Sequence, residues 1–381
     1  MVSRLGHAVC LVQPTLFPEA SRVDIHEYSC ALARQGIDTH VIVSEDRSAP
    51  FPGLTVHAVG FPPRNDPFSW LRFARIARNI VLRLAQGENL GLVHLFNPSP
   101  ATFLLGWMLA RRKERPAMVY DLRTGGLGRG PDAFLINAMA RGAARFADGM
   151  IALTPALGRA LLGDGIPFDH VPLGVNPEAF RPAPPRSSAE FVFVYAGTLS
   201  ANRRLSRMIE AFEQVVREHP HARLRIAGDG GDRPRLQALV ESRGLRPAVT
   251  FLGKRDHREI PALLADAHCG LSYVPQTPWF EPQPQLKTLE YFAMDLPAVA
   301  VRTQGNADYW AGLPPELLTA DDPDSFAGGM RFALTHGEQL RQGGFRRLAE
   351  RHSWDQITRE KLIPIYVDLI ADPLRDAARR N

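Results

Sequence analysis

The sequence predicts an α/β protein with two doubly wound, Rossmann-like domains, each a parallel sheet covered by helices. Three observations lead to this fold class. The chain has 381 residues, which is enough for two domains, since one domain usually has about 100–200 residues. Short β-branched runs alternate with helical patterns along the chain. The alternation stops at the proline-rich stretch 181–190 and then begins again, which indicates a linker between two domains.

The N-terminal domain is predicted over 1–172. Its strand candidates are apolar, β-branched runs bounded by turn residues, at 7–13, 38–44, 54–59, 90–96, 117–122 and 149–154. Helical patterns lie between several of them, near 23–35, 68–86, 100–112 and 131–147. Strands joined through helices form a parallel sheet with both faces covered.

The C-terminal domain is predicted over 191–359, after a linker at 173–190. The same alternation predicts strands at 191–197, 223–228, 249–253 and 269–274, with helices near 203–218, 233–243 and 257–266. Two such domains leave a cleft facing the carboxyl ends of both sets of strands, where open α/β sheets bind ligands. We therefore expect the functional residues to face that cleft.

Cysteine content and apolar runs predict a cytoplasmic protein. Cys10, Cys30 and Cys269 lack the spacing of a disulfide framework or a zinc site. The first apolar run, 8–12, is too short for a signal peptide, and the longest, 101–110, is about half of a membrane span. The net charge of +5 suits an anionic small molecule or membrane surface, and no nucleic-acid-binding motif accompanies it.

Two segments of the second domain carry candidate phosphate chemistry. Gly197 follows a strand, and Arg203 and Arg204 are predicted at the start of the next helix, where backbone N–H groups and a guanidinium can bind phosphate oxygens. Solvated first-turn arginines are the alternative. The glycine loop at 228–231 lacks the third glycine of a GxGxxG motif and is interpreted as a tight connection, with Asp229 and Asp232 placed by the helix dipole.

A third segment, 278–310, contains a proline-broken loop followed by a helix with Lys287 and Glu290. Because residues three apart share a helical face, this pair can contact one nucleotide at a phosphate and at a ribose diol. The alternative is an ordinary surface ion pair, worth about 0.2–0.5 kcal/mol.

Taken in order, these segments resemble the retaining GT-B glycosyltransferases of family 4, also called group 1. The stretch GTLSANRRLSRMIEAF is similar to the family's donor-phosphate turn, and PQLKTLEYFAMDLPAVA to its "PLK..EYMA.G.PVVA" motif. The resemblance covers about 191–310 most closely. It also makes VPLGVNPEAF the hinge and implies that a C-terminal crossover helix, about 360–381, returns to the first domain.

The resemblance implies a role for each matching residue. It puts Arg203 and Lys287 on the donor diphosphate as the catalytic cations, and Glu290 on the ribose hydroxyls. The other implied donor contacts are Gly197, Thr198, Arg204, Gly253 and Lys254. Pro282 stands where many relatives have a sugar-contacting glutamate, so Glu281, one residue away, becomes the candidate. Thr198 replaces a usual arginine, which leaves Arg203, Arg204 and Lys287 to balance the phosphate charge.

The implied activity is transfer of a sugar from a nucleotide diphosphate to an acceptor, with retention of configuration. The leaving phosphate would help to accept the acceptor's proton. No cofactor or metal is expected, and the chain has no DxD triplet. Lipid-linked, glycan or small-molecule acceptors are expected. Residues predicted on the acceptor side are Glu19, Arg22, His94, Asn97 and Arg123.

The segment 68–84 has four arginines and no acidic residue, and its apolar residues gather on one side of a helix. Covering the sheet is the ordinary explanation for this stripe. However, Leu71 and Leu82 fall within the arginine arc, as they would in a helix that docks on an anionic membrane surface. Peripheral association with the cytoplasmic face of the membrane is therefore a second prediction.

Two other functions remain open for this fold class. A nucleotide-sugar epimerase would keep the nucleotide contacts and lack an acceptor site. A two-domain sugar-binding protein without enzymatic activity would also enclose its ligand between the domains. The concentration of nucleotide-type contacts in the second domain favours an enzyme over the binding protein, and a dehydrogenase is disfavoured because no strand is followed by a complete GxGxxG motif.

Overall fold

A computed structural model describes residues 6–17, 23–61, 66–124, 131–182, 189–341 and 343–371. The chain divides into two compact units. Unit 1 contains Met1–Leu173 and Trp354–Asn381, and unit 2 contains Gly174–Ser353. Most of the predicted linker 173–190 is thus assigned to unit 2, and unit 1 is built from both ends of the chain.

Unit 1 has a seven-stranded parallel sheet and a two-stranded parallel pair. The strands are β1 Ala8–Val12, β2 Leu16–Phe17, β3 Thr39–Val43, β4 Glu45–Asp46, β5 Leu54–Ala58, β6 Leu90–Phe96, β7 Ala117–Leu122, β8 Gly149–Ala152 and β9 Asp169–His170. The large sheet has the order β5-β3-β1-β6-β7-β8-β9, and β2 pairs with β4. The direction of strand order reverses between β1 and β6, which is the topological switch point of a doubly wound sheet.

Helices cover both faces of this sheet. They are α1 Val23–Arg34, α2 Pro67–Gly87, α3 Pro100–Ala110, α4 Pro131–Ala143 and α5 Pro155–Leu162. Buried side chains of α2, α3, α4 and α5 share one apolar cluster with one face of the sheet, and α1 belongs to the cluster on the other face. Phe73, Ile80 and Leu84 form part of the buried stripe of α2, as expected for a helix that covers a sheet.

Unit 2 contains a six-stranded parallel sheet. Its strands are β10 Phe191–Ala196, β11 Ala222–Ala227, β12 Val249–Gly253, β13 Cys269–Ser272, β14 Ala298–Val301 and β15 Leu318–Thr319. They have the order β12-β11-β10-β13-β14-β15, which is the 3-2-1-4-5-6 order of a Rossmann fold. The switch point of unit 2 therefore lies between the carboxyl ends of β10 and β13.

The helices of unit 2 are α6 Ser206–Glu218, α7 Arg233–Ser242, α8 Ile260–Ala265, α9 Leu286–Ala293, α10 Gln304–Ala307, α11 Pro323–Thr335, α12 Gly337–Arg341 and α13 Phe345–Arg351. One prediction needs correction here. The helix predicted from 203 begins at Ser206, because Ala201–Arg203 form a 3₁₀ turn and Arg204 adopts a left-handed conformation with φ 49°. The two arginines therefore precede the helix.

The chain then returns to unit 1 through α14 Trp354–Ile357, a π-helical turn Thr358–Leu362 and α15 Ile363–Ala371. Trp354 and Tyr366 are buried in the same apolar cluster as α1. The Trp354 ring meets Tyr28 edge to face, with 4.8 Å between ring centroids. Within the described ranges, none of the helices combines the length and the apolar character needed to cross a membrane.

Candidate functional site at the switch point of unit 2

Backbone contacts between the connections after β10 and β11 shape the switch point. The chain leaves β10 at Gly197, whose N–H donates to the carbonyl of Ala227, and Leu199 N–H donates to the carbonyl of Asp229. The connections after β10 and β11 thus run side by side. A Cβ on Gly228 would lie 1.9 Å from the carbonyl oxygen of Gly197, so this close approach requires glycine.

The same contacts support the structural interpretation of the loop at 228–231. A Cβ on Gly230 would lie 2.3 Å from the carbonyl oxygen of Leu199. The carboxylate of Asp232 binds Arg235 at 2.7 Å, and one oxygen of Asp229 lies 3.6 Å from Arg233. The glycines therefore serve close packing of two backbone segments, and each aspartate has an arginine beside it.

Helix α9 places Lys287 against the turn at Gly197. The ammonium nitrogen Nζ lies 3.9 Å from the centroid of the Tyr195 ring, and a Cβ on Gly197 would stand 2.7 Å from it. Tyr291, also on α9, accepts a hydrogen bond from Ala196 N–H through its hydroxyl at 3.1 Å. The helix that carries the lysine is thus fixed to the end of β10.

The ammonium group of Lys287 is buried without a hydrogen-bond partner. The residue is 8% exposed, and Nζ makes no hydrogen bond with any part of the chain that the structure describes. Burial and the nearby Arg203 guanidinium hold the pKa of Lys287 well below its usual value, and Glu290 opposes the shift. An exposed ion pair between Lys287 and Glu290, the alternative for this helix, is wrong, because both side chains are buried.

Arg203 brings a second cation to Lys287. Its Nη1 donates to the side-chain oxygen of Gln285 at 3.2 Å, and its guanidinium lies 5.4 Å from the centroid of the Phe280 ring. Among the described residues it has no ion pair with a carboxylate. Arg204 is exposed, as is Thr198, whose carbonyl accepts a hydrogen bond from Tyr195 at 3.3 Å.

The loop before α9 is tied to the segment after β14. Gln285 N–H donates to the side chain of Asn306 at 3.2 Å, and a Cβ on Gly305 would lie 2.4 Å from the carbonyl carbon of Gln283. The carboxylate of Glu281 accepts a hydrogen bond from Gln304 N–H at 3.0 Å. The structure therefore gives Glu281 a loop-fixing contact; its predicted contact with the sugar remains a prediction.

Glu290 occupies the next turn of α9 and pairs with a residue that the sequence analysis does not select. Its Oε1 lies 2.6 Å from Nε2 of His257, in the connection after β12. Gly253 ends β12 with φ 73° and accepts a hydrogen bond from Gly228 N–H at 2.8 Å, and Lys254 next to it is exposed. The site thus gathers the ends of β10, β11 and β12 around α9.

Three residues of this site were not selected from the sequence: Tyr195, His257 and Gln285. Tyr195 could have been selected from its position, because it precedes Gly197 by two residues and so lies on the same face of the strand. His257 and Gln285 act through partners 33 and 82 residues away, which no local pattern reveals.

In unit 1, two predicted acceptor-side residues are buried in hydrogen bonds, and their acceptor-side role remains a prediction. His94 lies inside β6 with no exposed surface, between the Tyr366 hydroxyl at 2.5 Å and the Asp121 carboxylate at 3.1 Å. Arg123 is 3% exposed, and its guanidinium donates to Asp121 at 2.8 Å and to the Tyr28 hydroxyl at 2.8 Å. These buried hydrogen bonds join β6 and β7 to α1 and to α15.

Burial and neighbouring charges shift the pKa values of this network. Desolvation lowers the pKa of His94, although Asp121 opposes that shift. Burial would raise the pKa of Asp121, but Arg123 and His94 hold it below its usual value. The Asp121–Arg123 ion pair and its contact with His94 are therefore structural parts of unit 1.

Asn97 follows β6 at the switch point of unit 1, in a left-handed conformation with φ 57°. Its side-chain oxygen accepts hydrogen bonds from the backbone N–H groups of Arg123 and Thr124, at 2.9 and 2.8 Å. Glu19 and Arg22 lie outside the described residues. Their acceptor-side assignments, and that of Asn97, remain predictions.

Two protein-family profiles match the chain in succession. The profile described as "Glycosyl transferase 4-like domain" matches residues 19–174, and the one described as "Glycosyl transferases group 1" matches residues 190–336. The second match includes Gly197, Arg203, Lys287 and Glu290.

Curated relatives match parts of the chain. A GDP-mannose-dependent alpha-(1-6)-phosphatidylinositol dimannoside mannosyltransferase of Mycobacterium tuberculosis is 29% identical over 202 residues, which are 49% of each chain. Alpha-D-kanosaminyltransferase of Streptomyces kanamyceticus is 35% identical over 74 residues, 19% of each chain. The chain thus spans about half the length, or less, of these relatives.

Solved structures resemble almost the whole chain. Sucrose-phosphate synthase from Thermosynechococcus elongatus superposes with a TM-score of 0.78 at 18% identity, over 96% of this chain and 99% of that one. Anabaena Alr3699/HepE, solved in complex with UDP and glucose, gives a TM-score of 0.68 at 16% identity, over 94% and 99%. The two Rossmann-like sheets therefore form a GT-B fold, and the chain belongs to the group 1 family of glycosyltransferases.

Proposed function

We propose that the chain transfers a sugar from a nucleotide-diphosphate donor, and that unit 2 binds the donor's diphosphate between Arg203 and Lys287. One observation carries the proposal: the Lys287 ammonium is buried beside a second cation and has no hydrogen-bond partner in the described chain. A buried unpaired charge is costly unless a ligand compensates it. A diphosphate has both the charge and the hydrogen-bond acceptors to do so.

The position of these groups suits bond cleavage at a sugar phosphate. When the anomeric carbon separates from its phosphate, negative charge grows on the departing oxygen. Arg203 and Lys287 are held in place by Gln285 and by the Tyr195 ring, so they need little reorganisation as that charge develops. Glu290 shares a helix face with Lys287 and is held by His257. We place the ribose hydroxyls of the donor at this carboxylate.

We extend the proposal to the course of the reaction. Transfer proceeds with retention of configuration, the leaving phosphate takes part in deprotonating the acceptor, and no bound metal is needed. The two cations supply the charge that a metal ion would otherwise bring to the diphosphate. Donor and acceptor classes follow the relatives' names: a GDP- or UDP-linked hexose, and a lipid-linked or glycan acceptor.

A donor panel tests the proposed function. In EDTA, one or more of the UDP-, GDP-, ADP- and TDP-sugars is expected to raise the melting temperature, because a ligand that binds only the folded state stabilises it by mass action. The responding donor is then incubated with candidate acceptors and the product's anomeric configuration is determined. Inversion would refute retention, an isomerised free nucleotide sugar would identify the epimerase alternative, and a panel without any shift would contradict donor binding.

We also propose that unit 1 docks on an anionic membrane surface through the side of its sheet that carries α2, α3 and α4. Each of these helices exposes a large apolar side chain: Phe68 is 85% exposed, Trp107 42% and Phe134 77%. Arg72, Arg75 and Arg83 on α2 are exposed as well. Apolar side chains that enter the interface, together with cations that meet lipid phosphates, are typical of interfacial helices.

Vesicle sedimentation tests this docking. The protein is expected to sediment with vesicles containing anionic lipid at low salt, and to remain in solution with zwitterionic vesicles. Phe68→Ser combined with Arg75→Gln should reduce the bound fraction several-fold, because each basic residue near the surface contributes about 1 kcal/mol. Equal sedimentation with both vesicle types, or no sedimentation at low salt, would contradict the proposal.

A further inference from the structure

Unit 1 contains a histidine and two carboxylates that converge where β3 begins and α2 ends. The side chains of Asp38, His40 and Glu88 offer one ligand atom each, and the three atoms lie within 4.8 Å of one another. Nε2 of His40 is 2.8 Å from Oε2 of Glu88 and 3.7 Å from Oδ2 of Asp38. No other group of three metal-ligating side chains is this close among the described residues.

Separate backbone contacts hold each of the three residues. The carbonyl of Asp38 accepts a hydrogen bond from Val9 N–H at 2.9 Å, which fixes the approach to β3. His40 lies inside β3, paired with Cys10 of β1 and Thr55 of β5. Glu88 caps the end of α2, where its N–H donates to the carbonyl of Leu84 at 2.8 Å.

Two carboxylates beside a buried ring nitrogen make the cluster a favourable place for a cation. His40 is 2% exposed, and its Nε2 atom is buried and makes no hydrogen bond, despite its short distance to Glu88. A lone pair on this nitrogen would face two carboxylates. A metal ion placed between the nitrogen and the two carboxylates would contact all three groups.

The other nitrogen of the His40 ring is already engaged. Nδ1 lies 3.1 Å from Nε2 of His57, on the neighbouring strand β5, and the two rings stack with 5.3 Å between centroids. In the tautomer that carries the proton on Nδ1, this N–H donates a hydrogen bond to Nε2 of His57, and Nε2 of His40 is left free as a ligand. Metal-binding histidines commonly use their second nitrogen in this way, since that contact fixes ring orientation and tautomer.

We propose that Asp38, His40 and Glu88 bind a divalent transition-metal ion of the Zn²⁺ type, with water completing its coordination. Donor atoms on a tetrahedral ion stand about 3.3–3.6 Å apart, as follows from metal–ligand distances of about 2.0–2.2 Å. The two observed distances of 2.8 and 3.7 Å bracket that range. One imidazole with two carboxylates favours Zn²⁺ or Mn²⁺ over Mg²⁺, which prefers oxygen ligands alone.

The site would connect the end of α2 to the start of β3, so its role is structural. Asp38 is 60% exposed and Glu88 is 50% exposed at the side chain, which leaves the ion a path from solvent and room for water. The three ligands belong to unit 1, and the proposal is independent of the proposed transfer in unit 2. Metal binding and donor binding can therefore succeed or fail separately.

The test is titration of tag-free protein, stripped with EDTA and dialysed, with ZnCl₂ followed by calorimetry and thermal melting. One equivalent of Zn²⁺ is expected to bind and to raise the melting temperature. Asp38→Asn and Glu88→Gln should each weaken binding at least about tenfold, and His57→Phe about 10–100-fold through loss of the second contact. Because Asp38 and Glu88 are exposed, their variants are expected to fold.

His219→Gln, which removes a histidine of unit 2 from its contact with His221, is the matched control and should bind Zn²⁺ like the wild type. Co²⁺ bound in place of Zn²⁺ should give a spectrum without thiolate charge transfer, since the three proposed ligands are an imidazole and two carboxylates. Absence of saturable binding to the wild type would overturn the proposal. Unchanged affinity in both Asp38→Asn and Glu88→Gln would overturn it as well.

Discussion

Lys287→Met is expected to lower turnover by about 10²–10³-fold and to make the ligand-free protein more stable. Loss of one preorganised group that stabilises transition-state charge costs about 2.7–4 kcal/mol of barrier. The same change removes a buried ammonium that has no hydrogen-bond partner among the described residues, and keeps an apolar stem against the Tyr195 ring. Steady-state kinetics and calorimetric melting measure the two effects.

Opposite signs for activity and stability distinguish a functional charge from a structural one. Lys361→Met, the same substitution at an exposed position, should change neither quantity. A Lys287→Met protein that melts at a lower temperature than the wild type would show that the ammonium has a structural partner. A variant with near-wild-type turnover would contradict its assignment to the diphosphate.

The lowered pKa of Lys287 also gives this experiment a pH dependence. Because the folded-state pKa lies below the unfolded value, the unfolded chain binds more protons in the interval between them. Stability from this group therefore falls as pH decreases through the window from the usual lysine value to the lowered one. Lys287→Met should flatten the increase in wild-type stability with rising pH across that window.

Arg203→Ala is expected to lower turnover by a similar 10²–10³-fold, because it removes the second cation at the proposed diphosphate site. It should also raise the pKa of Lys287 toward its usual value, since Arg203 is the nearby positive charge that helps to lower it. The donor's phosphates should oppose the lowering of the Lys287 pKa, so donor binding to the wild type should be coupled to proton uptake in the pH range where this residue titrates, and the uptake should be smaller in Arg203→Ala. Calorimetry in buffers of different ionisation enthalpy measures the uptake.

The double variant Arg203→Ala/Lys287→Met provides the further check. Two cations that act on one leaving group should show non-additive losses. Strictly additive losses would indicate that the residues stabilise different groups. Arg246→Ala, at an exposed position paired with Glu241, is a suitable control for the loss of an arginine in unit 2. Near-wild-type turnover in Arg203→Ala would remove it from the proposed catalytic pair.

The sequence predicts the strands well because each is a short apolar run between turn residues. The segments 90–96, 117–122 and 249–253 have the same limits in sequence and structure. Sequence periodicity does not reveal the start of α6, because the left-handed Arg204 interrupts an otherwise helical composition. Between residue 300 and the predicted crossover helix, no element was predicted individually, although α11 is as long as α6.

The same division applies to the candidate site. Lys287 and Glu290 could be selected because they share a helix face, and the structure shows both of them buried in unit 2. The burial of His94 and Arg123 could not be predicted, since it depends on contacts with Tyr366, 272 residues from His94, and with Tyr28, 95 residues from Arg123. A local sequence pattern shows which side of a helix or strand a residue occupies. It does not show which distant residue packs over the side chain and buries it.

The contribution of α14 and α15 to unit 1 has a consequence for the order of synthesis. A ribosome delivers Tyr28 and His94 before unit 2, and their partners Trp354 and Tyr366 only after it. Unit 2 is complete before unit 1 receives these residues. Until then, the apolar surface of unit 1 that Trp354 and Tyr366 cover is exposed in the nascent chain. A chain that stops at Ser353 is expected to contain a folded unit 2 and an incompletely folded unit 1.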